Sequence, residues 1–154
     1  MNEIERIIDQ IRRAYDGDAW HGLPLRAILA DVPAEAASAT PIRGAHSIRE
    51  IVRHITFWHD GVRRRIGGEV VEADEVEQWP DAIDAGEDGW RQELADLERA
   101  HAALLEAVGR LSPADLERPV PGKPYDAYIL LHGLVQHTLF HAGQVAILKK
   151  AARG

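Results

Sequence analysis

The chain has 154 residues, enough for one domain with a buried core, and its composition marks no second one. Hydrophobic residues make up 45% and charged residues 28%, as in an ordinary globule, and a net charge of -7 argues against general nucleic-acid binding. Cysteine is absent, which excludes a disulfide framework, a thiolate metal site and a cysteine nucleophile, so any metal has to be held by histidines and carboxylates.

The opening MNEIERIIDQ mixes acids into its apolar positions, unlike a signal peptide. Ile4, Ile7, Ile8, Ile11 and Tyr15 repeat at helical spacing and predict an amphipathic helix over residues 2–15, ended by Asp16, Gly17 and Asp18. Residues 19–24 read as a tight aromatic corner, where Trp20 and His21 are candidates to line a pocket. Short helices are expected over 25–30 and 33–37, then a loop over 41–46.

Ser47 and Glu50 fit a capping box that opens a helix running to about residue 66. Ile48, Val52, Ile55, His59, Val62 and Ile66 form one stripe of it, and Ile51, His54 and Trp58 a neighbouring one. His54 thus holds an otherwise apolar position. Arg63, Arg64 and Arg65 read as a solvated helix end, where cations suit the dipole, with an anion-binding patch as the alternative. Gly67 and Gly68 stop the helix. Residues 69–88 form a long acidic connection, and such connections are often functional or mobile. Trp79 within it reads as packing down the loop, or as a candidate to shield a pocket. From near residue 88, Trp90, Leu94, Leu97, His101, Leu104, Val108 and Leu111 predict a third long helix. Ser112 and Pro113 open a short turn, 118–123 is a loop, and Pro124 or Asp126 leads into a last helix to about 151. The pattern predicts an all-α chain: one four-helix bundle over 1–154 with one long crossover.

The last helix carries the most informative seam: Leu130, Leu134, His137, His141, Gln144, Leu148. Burying its polar members without partners costs roughly 1–3 kcal/mol each. His137 and His141 are one turn apart and reach one point beside the helix. They read either as metal ligands or as core histidines bonded to carbonyls or water. His54 makes a third candidate ligand. Facing helices lie about 8–10 Å apart, so a single imidazole and a pair can converge on one ion at ~2.0–2.1 Å. Three ligands leave a position for water or substrate, the catalytic pattern.

Other histidines compete. His101 reads as a fourth ligand, a donor behind the ligands or an edge residue, the edge being favoured. His59 reads as a surface or dimer contact. His132 lies off the seam, and His46 lies in a loop. Gln144 hydrogen-bonds a ligand or bridges helices. Gly143 costs about 1 kcal/mol of helix stability relative to alanine and implies close approach of a backbone or ligand. No apolar run approaches the ~20 residues of a membrane span, so a cytoplasmic protein is expected.

GAHSIREIVRHITFWHD, which contains His54, and HTLFHAGQVAILKK, which carries His137 and His141, together resemble the DinB/YfiT-like family of metal-dependent proteins. The resemblance spans nearly the whole chain. It implies a four-helix bundle, a zinc or nickel ion on those three positions, and a homodimer. It leaves the reaction open. One reading is a metal-dependent enzyme acting on a small molecule, a transferase using a low-molecular-weight thiol. A second is metal-dependent hydrolysis, which needs an acid or base that the seams do not offer. A third is a non-enzymatic stress-associated module whose metal is structural, marked by a fourth protein ligand such as His101 or His21.

Overall fold

In the computed structural model, which describes residues 1–153, the chain forms α1 (Glu3–Tyr15), α2 (Leu25–Leu29), α3 (Ala34–Ser38), α4 (Ile48–Ile66), α5 (Glu87–Gly109) and α6 (Ala127–Ala151). A 3-10 turn covers Pro113–Glu117. Among the described residues there is no strand, only an isolated bridge between Pro119 and Asp126. The fold is all-α, with α1, α4, α5 and α6 as the four long helices of the bundle.

Side chains set the helix starts. Asn2 and Glu5 close a capping box on α1, at 3.0 and 2.8 Å. Ser47 and Glu50 do the same for α4, at 3.2 and 2.6 Å. On α6, Asp126 accepts from Ile129 N at 2.9 Å, so the cap is Asp126 and not Pro124. Such caps are worth roughly 1 kcal/mol each.

The core has two apolar halves. One gathers Leu25, Ile48, Ile51, Ile55, Leu97, Val145 and Leu148, with Trp90. The other gathers Ile4, Ile7, Ile11, Val62, Leu104, Leu131 and Leu134. Each fully buried side chain of this size contributes about 1.5–3 kcal/mol. The order in which each helix meets the halves gives its direction. α4 and α5 both run from the first half to the second, while α1 and α6 run the other way. Two consecutive parallel helices need a return path as long as the bundle. Nineteen residues of α4 rise about 28 Å. The expected crossover therefore has a geometric cause.

That crossover lies along α4 and is pinned to it in reverse order. Arg65 donates to Val71 O, His54 to Gln78 O, Arg53 to Pro80 O, and Arg49 to the carbonyls of Asp84 and Ala85. Arg49 is buried and also pairs with Glu93 of α5 at 2.8 and 3.0 Å, and Arg53 reaches the same carboxylate at 2.9 Å. Two expectations are corrected here. Arg65 is not a solvated helix end, because Val71 folds back over it and leaves it 6% exposed. Gly143 does not answer a close approach of protein backbone, since its outer side meets open space.

Between the two apolar halves lies a belt of imidazoles: His54 and His59 on α4, His101 on α5, His137 and His141 on α6. His59, His101, His137 and His141 each fall where one half of the core gives way to the other along their helix, and His54 lies one turn before that step, just ahead of Ile55.

Candidate metal centre

His54, His137 and His141 face one another from α4 and α6. One ring nitrogen from each lies within 4.8 Å of the others, and no carboxylate joins the group among the described residues. His54 Nε2 and His137 Nε2 are 3.0 Å apart. The rings of His54 and His141 are centred 4.7 Å apart, and those of His137 and His141 4.4 Å.

Two of the three rings are fixed from behind. A carbonyl can only accept, so His54 Nδ1–H donates to Gln78 O, at 2.7 Å. His141 Nδ1–H donates to Gln144 Oε1, at 2.6 Å. Both bonds leave the Nε2 lone pair free to face the cluster, an arrangement common behind metal-bound imidazoles. His54 Nε2 is then unprotonated, and His137 Nε2–H donates to it. That choice strands His137 Nδ1, which is buried with no partner.

Burial keeps the rings neutral. It pushes His54 down to about 4, against the opposing hydrogen bond to Gln78 O and with help from His141. It pushes His137 to about 3, with His141 and His54 adding to the fall. His141 is lowered by burial as well, its bond to Gln144 resisting. Neutral imidazoles are the form that ligates a metal. A tetrahedral ion bound at ~2.0–2.1 Å sets neighbouring nitrogens ~3.3 Å apart. The closest pair, at 3.0 Å, needs to open by a few tenths of an ångström, and the remaining nitrogens, all within 4.8 Å, need to close in on such an ion.

The crossover supplies the remaining wall. Trp79 stacks flat on His54, centroids 3.9 Å apart, and on its other side lies His46 at 3.5 Å. Trp58 donates to Gln78 Oε1 at 3.3 Å. Two cavities flank the cluster. One, of about 440 Å³, is lined by His46, Ile51, Trp79, Phe140, His141 and Gln144. The other, of about 270 Å³, is lined by Trp58, Val62, Arg65, Tyr125, Leu134 and His137. The imidazoles stand as a partition between them.

The other candidates go elsewhere. Trp20 is 99% exposed and His21 is exposed too, because the 19–24 corner turns outward into solvent. His101 is neither an edge residue nor a member of the cluster. It is 4% exposed and packs on Tyr15 at 4.0 Å and His59 at 5.7 Å, with both ring nitrogens unpartnered. His59 is 1% exposed, not a surface contact, and its Nδ1 donates to Ile55 O at 2.9 Å. His132 packs at a tilt against Tyr128. Trp58, Trp79 and Gln144 do line the site. Sequence reasoning left His46 as a competing histidine in a loop and passed over Gln78. His46 directly precedes the Ser47 cap, a legible hint, whereas Gln78 acts through its backbone carbonyl and leaves no signature.

With that geometry in view, comparison with known proteins adds one finding. The model of the DinB superfamily matches residues 24–145. The chain belongs to the DinB superfamily. The matched stretch holds His54, His137 and His141, together with Gln78, Trp79 and Gln144. No curated protein and no solved structure gives a match. In this DinB-superfamily chain, no described helix is long and apolar enough to cross a membrane.

Proposed function

We propose that His54, His137 and His141 hold a divalent metal, zinc or nickel, and that the protein is a metal-dependent enzyme acting on a small molecule as a thiol-using transferase. The carrying observation is the convergence of three neutral imidazoles, two of them held from behind by Gln78 O and Gln144. When bound, such an ion supplies Lewis acidity that lowers the pKa of a low-molecular-weight thiol and holds it as nucleophile. The chain's own residues prepare the place. Gln78 and Gln144 orient His54 and His141. Trp79 covers His54 and keeps water from that side. The flanking cavities admit small molecules next to His141 and His137. His101 and His21 stand elsewhere, which speaks for an open fourth position and against a purely structural ion.

One observation favours hydrolysis as a second reading. His46 lines the larger cavity with His141, and its Nδ1 lies 3.6 Å from a Glu50 carboxylate oxygen. That pair offers the acid or base the helical seams lack. Homodimerisation is proposed through the outer face of α6, where Ile129, Phe140 and Ile147 are exposed.

The test loads the purified protein with zinc or nickel and follows thiol consumption by electrophiles. Activity that vanishes in His137→Ala supports the proposal. Equal rates in the two proteins overturn it. A rate that needs no thiol and falls in His46→Ala supports hydrolysis instead.

A further inference from the structure

Arg65 is a buried cation without an anion. It is 6% exposed, and among the described residues no carboxylate oxygen lies within 4 Å of its nitrogens. Arg49 shows the contrast: equally buried, it has Glu93. Glu72, the acid whose carboxyl responds to Arg65, is exposed and engaged with Lys123 at 2.7 Å. A guanidinium carries five N–H donors. In Arg65, Nε and Nη2 each direct one at Val71 O, at 3.2 and 2.7 Å, and Nη1 reaches the Tyr125 hydroxyl at 3.3 Å. One hydrogen on each of Nη1 and Nη2 is left over. The Trp58 ring, 4.9 Å from the guanidinium carbon, offsets only part of the charge. Burying an ion costs several kcal/mol unless it is paired.

Arg65 and Tyr125 line the smaller cavity, most of whose other walls are apolar: Trp58, Val62, Leu130 and Leu134. His137 lines the same cavity. Leu130 and His137 are seven residues apart on α6, so the cavity runs about 10 Å from the Arg65 end to the imidazoles.

We infer that this cavity takes a small amphipathic carboxylate, its carboxyl group on Arg65 and Tyr125 and its apolar body directed at His137. A hydrogen on each of two Nη atoms can meet the oxygens of a carboxylate, and the charges are opposite. The inference rests on the metal-centre reading only for what lies at the far end, and it names the substrate class of that centre. Arg65 acts here as a binding residue. Its bond to Val71 O also braces the crossover, but bracing uses neither spare hydrogen.

The test uses octanoate as probe, on full-length protein held in EDTA so that no ion can take the carboxylate. Calorimetry compares octanoate with octanol, and wild type with Arg65→Lys, Arg65→Met and Tyr125→Phe. Octanoate is expected to bind at least tenfold more tightly than octanol, a margin that Arg65→Met erases and Arg65→Lys partly keeps. Tyr125→Phe, which leaves the brace intact, weakens octanoate several-fold. In wild type the Arg65 Nε–H resonance shifts on saturation, a readout that needs no variant to fold. Equal binding of octanoate and octanol, or an unmoved Arg65 resonance, overturns the inference. Failure of the metal reading shows separately, as His54→Ala protein with the same ion content as wild type.

Discussion

His101 gives a prediction whose size can be worked from the structure. Both of its ring nitrogens are buried without partners, and burial, with Arg12 and Arg26 adding to the effect, lowers it from 6.5 to about 4. Between those values the unfolded chain holds a proton that the folded chain refuses. The contribution of neutral His101 is therefore complete above pH 6.5 and is lost as pH falls toward 4. At roughly 1.4 kcal/mol per pKa unit the full loss is about 3 kcal/mol, and about 2 kcal/mol of it is gone by pH 5. Replacing His101 by phenylalanine removes this dependence and an unsatisfied polar group together. Urea unfolding at pH 7.5 and pH 5, in EDTA, measures it. Wild type should lose about 2 kcal/mol more than His101→Phe between the two conditions. Any fixed cost of repacking against Tyr15 cancels in that difference. Equal losses in the two proteins would refute the reasoning. Ion content should be the same in both, since His101 belongs to the other half of the histidine belt.

Gln144→Leu removes the acceptor behind His141 while keeping its volume, and should weaken metal affinity by about 10–100-fold with the helical signal unchanged. Competition with a chromogenic chelator reads this; unchanged affinity would show that the 2.6 Å bond does not orient the ligand. Glu93→Ala strips the carboxylate from buried Arg49 and from Arg53, and should cost about 3–5 kcal/mol in chemical unfolding. A cost under about 1 kcal/mol would mean that the carbonyls of Asp84 and Ala85 satisfy Arg49 by themselves. Ile147→Lys places a charge on the exposed face of α6 and should convert the proposed dimer to monomer in analytical ultracentrifugation, whereas wild type that sediments as a monomer refutes that proposal. A dimer that survives it moves the interface elsewhere.

The four long helices and the meeting of His54, His137 and His141 were legible because both follow from spacing. Polar residues at core positions of a regular helix point inward whatever their partners turn out to be. The length of the crossover was also legible, though its cause was not. Parallel α4 and α5 require it, and direction is a property of how elements meet rather than of either alone. His59 and His101 were misread for a related reason. Each lies on an apolar seam, but the sequence did not show that their helices carry them to one place, against Tyr15. Arg65 sat in a run of three arginines that suggested solvent, and only the return of Val71 over it makes it buried. Trp20 was the opposite error, an aromatic residue assumed to seek cover in a corner that turns outward.

The central claim is that one ion sits on three imidazoles from two helices. Elemental analysis of untagged protein, expressed with zinc or nickel supplied and then desalted, tests it directly. The account predicts about one ion per chain in wild type and almost none in His54→Ala, with the helical signal of the two proteins alike. Wild-type protein that emerges without metal, or a His54→Ala protein that keeps it, would contradict the account.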